Sequence, residues 1–406
     1  MSGEHPVRKE SLETLTGRAL AALREGSDGM AAWANAMRES PGRFRWAAET
    51  TRCANIAATS YLIGGLTKMG LIDRVLTAED YREGLAWVLA MRAGGGQFHD
   101  PALLGRRTPG WPDDRPWPDS AMLLGVSQYA GSVLAHYSRR PDALLPAQPP
   151  PGWPQAEDGP EKALEFIRTR PYAESAWGAC SHAMRMATWL LHWRLEGRIS
   201  LDPLIEALRF FFSIQDERTG LWGSAAQPKF VRINGTFKLF PLIREELDLP
   251  LPHAEKIIDQ VLEEFYRPDY DETVGACDEW DNWYVLALAR EEAAAGYRED
   301  EIQKMAAHRI ARTLEIFRKP DGGLSYSPQS CVTNWIGFDM APELPQSDVM
   351  GPGILACGIN VCIDLLGLRD ATEWTGEWRM RQRQPAELLD RIREQVFGDE
   401  KEKAAC

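Results

Sequence analysis

The stretch Ala276–Trp283 (ACDEWDNW) sets two carboxylates, Asp278 and Asp281, three residues apart. On a helix that spacing places both on one face. Two acids sharing an inward face raise each other's pKa, which is what a general acid requires. Asn282 adds a polar contact on a neighbouring line of the same helix. Acids also suit a helix's first turn, so capping is a second account of the same residues.

Three further clusters carry reactive or recognising side chains. Lys229–Lys238 (KFVRINGTFK) offers Lys229, Arg232 and Lys238 as a cationic wall with Asn234 beside it. Arginine forks suit carboxylate or phosphate, although ion pairs with the chain's own acids would use the same groups. Trp177–Arg185 (WGACSHAMR) holds His182 in a stretch of small and apolar residues. His182 is a candidate acid or base, or a core histidine with its needs met. Asp119 follows a Trp-Pro pair, and Asp348 follows Gln-Ser, both where an N-cap belongs. Cys180 and His182 lack a second pair at ligand spacing, so no metal is expected, and no cofactor motif is present. The glycines Gly94–Gly96 lack the strand and the GK[ST] ending of a phosphate loop.

These residues need helices to carry them, and helical periodicity dominates the chain. One set of segments is amphipathic, with a single wet face: Leu12–Arg24, Ala78–Met91, Pro160–Arg168, Leu201–Ile214, Ala254–Phe265 and Glu299–Phe317. A second set is apolar or small nearly all round: Arg52–Met69, Asp119–Tyr137, Trp177–Glu196, Lys229–Glu245, Asp278–Ala295 and Ser347–Leu366. Another helix, Met30–Arg38, can intervene in the first pair. The sets alternate, which is the pattern of an all-α (α/α)6 toroid of outer and inner helices. The whole of 1–406 then reads as a single domain, with 1–45 a helical extension and 370–406 a packed tail fraying after Phe397. Three outer helices end in a glycine turn followed by an aromatic: Gly94–Phe98, Gln215–Trp222 and Pro320–Tyr326. Recurrence of such a unit marks a repeat architecture. Three long loops, Pro101–Pro118, Asp142–Pro154 and Ser327–Gln346, carry tryptophans and read as covers.

Composition narrows the setting. The net charge of −13, spread along 406 residues, argues against a nucleic-acid partner, which needs a basic face. Seven cysteines without a CxxC pair suit a reducing, cytoplasmic setting. No apolar run reaches the length of a transmembrane segment and no secretory signal is visible. Fifteen tryptophans are enough to line a cavity as well as a core.

Ala207–Trp222 (ALRFFFSIQDERTGLW) resembles the QW repeat of squalene–hopene cyclases, with Gln215 and Gly220-x-Trp222 in the motif positions. Pro320–Tyr326 and Gly94–Phe98 look like degenerate copies. The chain is thus similar to the terpenoid cyclase and protein prenyltransferase superfamily over Ala78–Leu366. That resemblance implies a toroid, with the glutamine capping a following helix and the tryptophan stacked on it. The family's catalytic motifs do not carry over. There is no DxDD and no DDxxD, and Cys277-Asp278 has the wrong order for a prenyltransferase zinc site.

The expected function is therefore an enzyme, a cyclase or isomerase or a lyase, doing acid-initiated cyclisation or related isoprenoid chemistry. Its substrate is a small molecule, and homo-oligomers are compatible with the sequence. Asp278 or Asp281 would give the proton, and Lys229 with Arg232 would hold an anionic head. Trp117, Trp177, Phe237, Trp280, Trp283 and Trp335 would line the pocket, since aromatic faces stabilise carbocations. The alternative is a carbohydrate-active toroid (glycoside hydrolase, lyase or epimerase), with Asp278, Asp281 and His182 as acid and base. A binding scaffold without catalysis is the third reading.

Overall fold

The structure is a computed structural model. It describes residues 6–92, 98–103, 119–139, 149, 152–335, 338–374, 376–380 and 383–403, without the side chains of 6, 8, 119–125 and 399–403. The described chain is mostly helical. In order, the helices are α1 (Leu12–Ala36), α2 (Ile56–Lys68), α3 (Ile72–Val75), α4 (Ala78–Ala90) and α5 (Asp119–Ser138). Next come α6 (Pro160–Arg168), α7 (Ala176–Leu195), α8 (Asp202–Ser213), α9 (Lys229–Phe240) and α10 (Ala254–Phe265). The last five are α11 (Tyr270–Thr273), α12 (Ala276–Arg290), α13 (Glu299–Ile316), α14 (Met350–Leu365) and α15 (Ala386–Lys403). Among the described residues the strands form two antiparallel ladders of two strands each: β1 (Arg38–Ser40) with β2 (Arg43–Phe44), and β3 (Asn334–Trp335) with β4 (Phe338–Asp339). No helix of the described residues is long and apolar enough to cross a membrane.

The chain divides into two compact units. The first comprises Met1–Pro150, Pro268–Trp280 and Arg298–Trp378. Here α1 lies along α13, α2 packs on α14 and α5, and α13 packs on α14. The two sequence classes behave as their patterns require. α14 buries every residue from Ile354 to Ile363, whereas α4 buries only Asp80, Gly84 and Val88. Glycines permit the α2–α14 crossing: a Cβ at Gly65 would stand 2.9 Å from the Pro352 backbone, and one at Gly353 would stand 2.8 Å from the Tyr61 carbonyl.

The interior of this unit holds a charged cluster. The Arg309 guanidinium donates to Glu279 through Nε and Nη2, at 3.2 and 2.9 Å. Thr313 and the Tyr270 hydroxyl donate to the same carboxylate at 2.9 and 3.1 Å. Arg309 also pairs with Asp271. Burial of a charge pair this deep is tolerated because the two groups bond each other twice and the carboxylate gains two further donors.

The second unit comprises Pro151–Arg267, Asp281–Tyr297 and Arg379–Cys406. α7 lies along α9, α6 packs on α7 and α8, α10 on α9, and α15 on α8. α10 is one-sided as its pattern demands: Ala254, Ile257, Ile258, Val261, Leu262 and Phe265 are all buried.

The three glycine turns close in one way. An isolated antiparallel bridge joins Arg92 to Phe98, Gln215 to Trp222 and Arg318 to Leu324. In the middle turn, the Trp222 indole N–H donates to the Phe211 carbonyl at 2.7 Å, inside α8. The Gln215 amide donates to the Gly220 and Pro252 carbonyls at 2.8 and 3.2 Å, the latter just ahead of α10. Gly220 takes φ +72°, which a side chain would resist. In the third turn Leu324, rather than Tyr326, occupies the bridging place.

The structure departs from the sequence reading at three elements. The separate helix Met30–Arg38 does not form, since α1 runs unbroken from Leu12 to Ala36. The inner helix drawn to Glu245 stops being α-helical at Phe240 and continues as a π-helical turn, Pro241–Glu246. Proline lacks the N–H that would continue the α ladder. The tail does not fray after Phe397: α15 extends to Lys403, and Phe397 sits against Phe212 with ring centroids 4.9 Å apart. Of the three long loops, 104–118 and 140–148 lie outside the described residues; Ser327–Gln346 contains the β3–β4 ladder.

Candidate functional site

The sequence-predicted residues fall into two groups, because the division between the compact units comes after Trp280. Asp119, Asp278, Trp280 and Trp335 belong to the first. His182, Lys229, Arg232, Asn234, Lys238, Asp281, Asn282, Trp177, Phe237 and Trp283 belong to the second. Trp117 lies outside the described residues, as does the side chain of Asp119 at the start of α5.

In the second unit α7, α9 and α12 bring several of these side chains together. α7 starts with small residues, Ala176, Gly178, Ala179 and Cys180. α9 crosses its first turn at Gly235, where an added Cβ would stand 2.9 Å from the Ala176 Cβ. That approach carries the next turn of α9 up to Trp177. The Lys238 ammonium lies 5.5 Å from the Trp177 ring centroid and 4.4 Å from that of Phe237. Phe237 in turn meets the Tyr284 ring of α12 edge-on at 5.0 Å.

Trp177 is 42% exposed, whereas Phe237 and Tyr284 are buried. An exposed indole combines a broad apolar face with an N–H donor, which suits it to contact a ligand. Asn234 lies three residues before Phe237 and Asp281 three before Tyr284, each one turn back from the ring contact. Both are buried, and so is Asn282. A buried carboxylate must be paired or protonated, and only the protonated form has a proton to give.

The remaining cations do other things. Arg232 donates from Nη2 to Asp216 Oδ2 and to Thr219 Oγ1, both at 2.8 Å, bracing the middle glycine turn. Burial works to raise the pKa of Asp216, but the Arg218 N–H and the Arg232 guanidinium outweigh it and hold it below its ordinary value. Lys229 pairs with Glu263 at the surface. Trp283 is fully buried and lies tilted on Phe265, with centroids 4.5 Å apart. His182 rests against the Trp153 ring at 5.2 Å. Burial first, then Arg185 and Arg170, push its pKa down to about 4, so the imidazole is neutral at pH 7.

In the first unit, Asp278 accepts the Gly275 N–H at 3.0 Å, closing the start of its own helix. The backbone of Trp280 is a packing surface for α14: a Cβ at Gly358 would stand 3.2 Å from the Trp280 Cα. Trp335 is buried, 5.2 Å edge-on from Tyr129 and near-parallel to Phe338 at 6.3 Å. The Tyr129 and Tyr61 hydroxyls share a hydrogen bond. Burial, then Tyr129, drives the Tyr61 phenol well above its usual range.

Two participants escaped the sequence reading. Tyr284 follows the DNW string and reads there as ordinary core. Gln227 carries no pattern at all. Its amide nitrogen and oxygen are shielded from solvent and find no hydrogen-bond partner among the described residues. The oxygen lies 2.6 Å from where a Cβ of Gly223 would be, as does the Ala176 Cβ. An unsatisfied amide of this kind costs about 1–3 kcal/mol, the sort of deficit a ligand can relieve. Among the described residues no group of three or more His, Cys, Asp and Glu is placed to hold a metal ion. No family model, curated protein or solved structure matches the chain.

Proposed function

We propose that the chain is an enzyme with a terpenoid cyclase-like (α/α)6 arrangement that binds an anionic isoprenoid at the Trp177–Lys238–Phe237 wall. The observation that carries this reading is the Lys238 ammonium lying over both ring faces while Trp177 remains exposed. An ammonium so placed covers the π faces. A diphosphate or carboxylate head would draw it aside by charge attraction. The uncovered faces then stabilise positive charge developing on the hydrocarbon. Asp281, buried one turn from Tyr284, is the proton donor in this scheme. The middle turn bears on the wider resemblance in part: Gln215 reaches the chain ahead of α10, while Trp222 binds back to α8 and not to a following helix.

The test is incubation of the full chain with geranyl, farnesyl and geranylgeranyl diphosphates and with squalene, with products read by mass spectrometry. Turnover is expected, abolished by Asp281→Asn and weakened mainly in KM by Lys238→Gln. No product from any of these, or an Asp281→Asn variant as active as the parent, overturns the reading.

A second reading rests on the exposed Trp177 face and the neutral His182. Tryptophan faces stack on sugar rings, and a neutral imidazole can take a proton. Cleavage of an oligosaccharide that is lost in Trp177→Ala and His182→Gln, with prenyl diphosphates inert, would select the carbohydrate-active enzyme instead.

A further inference from the structure

The second unit has an open groove of about 530 Å³ beside α6, lined by Gly152–Gln155, Asp158, Lys162, Glu165, Phe166, Thr169 and Arg170. Its floor is aromatic. Trp153 lies tilted on Phe166 with centroids 4.6 Å apart, and its ring is flanked edge-on by His182 and Trp189 at 5.2 and 5.6 Å. Arg170 stacks on the same phenylalanine, its guanidinium carbon 4.0 Å from the ring centroid.

The charges around the floor are unevenly matched. Lys162 pairs with Asp158 at 2.9 Å, and Arg168 with Glu206. Arg170 donates only through Nε, to the Phe166 carbonyl at 2.9 Å. Among the described residues, no carboxylate lies within ion-pair reach of it and neither terminal nitrogen has an acceptor. Burial lowers its pKa, and the nearby Tyr172 offsets this only in part. A guanidinium that is stacked, oriented by its Nε and left with a free fork is prepared for an anion.

We propose that this groove binds a small ring compound bearing one carboxylate or phosphate, the ring on Trp153 and the anion on the Arg170 fork. The ligand chemistry is shared by aryl and glycosyl anions. The groove shares no lining residue with the Trp177–Lys238 wall, and the proposal does not depend on what that wall binds.

Calorimetric titration of the full chain tests it, with inorganic phosphate, phenyl phosphate, glucose 6-phosphate and benzyl alcohol as probes. At least one ring phosphate is expected to bind tenfold or more tightly than inorganic phosphate, and benzyl alcohol not to register. Arg170→Gln should weaken that binding at least tenfold and Trp153→Ala at least fivefold, with Arg170→Lys between parent and Arg170→Gln. Trp177→Ala should leave it unchanged, and thermal melts establish that each variant is folded. The stronger of the two ring phosphates tells an aryl ligand from a sugar. Failure of every probe, or ring-phosphate affinity equal in parent and Arg170→Gln, overturns the proposal.

Discussion

Gly235 passes Ala176 so closely that a Cβ on the glycine would stand 2.9 Å from the alanine Cβ and 3.1 Å from its carbonyl carbon. Part of the obstacle is backbone, which a rotamer change cannot clear. Gly235→Ala should therefore push α9 off α7 and carry Lys238 away from Trp177. Overpacking of this kind costs about 1–3 kcal/mol against the roughly 1 kcal/mol that Ala gains over Gly in a helix, and the backbone obstacle puts this site toward the upper end, a net loss of about 1–2 kcal/mol. Urea unfolding measures the loss. A variant as stable as the parent would mean that the two helices are not in contact at this point.

The Gln215 amide serves two carbonyls, Gly220 and Pro252. Gln215→Met keeps the length and most of the volume but has no donor to offer. Both acceptors lose a partner, and a buried acceptor left unmet costs about 1–3 kcal/mol. The damage should be local. Hydrogen exchange should quicken in the first turn of α10, which follows Pro252 directly, and remain slow in the middle of α7. Uniform loss of protection across both helices would contradict the assignment.

Some of this arrangement was legible in the sequence and some was not, for identifiable reasons. α6 and α10 have the bounds their pattern predicts, because a one-sided apolar stripe is set by the segment itself. The amphipathic stretch Leu12–Arg24 is only the first part of α1, which continues through Gly26 and Gly29 to Ala36, although glycine weakens a helix locally. Packing overrides that weakness. A Cβ at Gly26 would be 3.7 Å from Leu314, one at Gly29 would be 3.3 Å from the Gly322 carbonyl, and the Trp374 indole donates to Ser27 at 3.0 Å. Partners hundreds of residues away cannot be seen in an eleven-residue window. Trp177, Phe237 and Lys238 were picked out by residue type, and α9 does bring them together. Arg232 was picked by type too, but its partner Asp216 is fixed by how the glycine turn folds over α9. The pair Asp278 and Asp281 shows the limit of helical spacing. It puts two acids on one face without telling which will close the helix start, as Asp278 does on the Gly275 N–H.

Glu279 and Arg309 have side chains only 2% and 3% exposed. Removing one member leaves a buried charge uncompensated, a loss of about 3–5 kcal/mol. Glu279→Ala and Arg309→Met should each fall in that range. The double variant should be more stable than either, though short of the parent, because Asp271, Tyr270 and Thr313 then lose their partner. A double-mutant cycle in urea provides the comparison. Additive losses would indicate that the two groups do not interact.

Asp348 gives the fold a pH dependence of unusual sign. Its carboxylate accepts the Tyr326 and Val332 N–H groups at 2.9 Å each and the Gly351 N–H at 2.9 Å, tying two loop segments to the start of α14. Burial nonetheless dominates and raises its pKa from 3.8 to about 6. Between those values the folded chain keeps the proton that the unfolded chain has released. The unfolded state then binds fewer protons, so stability falls as pH rises. The contribution is complete below about pH 4 and gone above about pH 6, a change of roughly 3 kcal/mol at 1.36 kcal/mol per unit. Asp271 acts oppositely: burial works to raise it, but Arg309 and Arg312 hold it low, so its contribution is lost on acidification. Total stability therefore mixes both signs, and only a difference isolates Asp348. Asp348→Asn should be less stable than the parent throughout, since its amide offers donors to N–H groups that need acceptors. The gap between the two, from urea unfolding at pH 4, 5, 6 and 7, should narrow as pH rises and then hold constant. A gap that widens with pH would mean the carboxylate is ionised across the whole range, its three N–H donors outweighing the cost of burial.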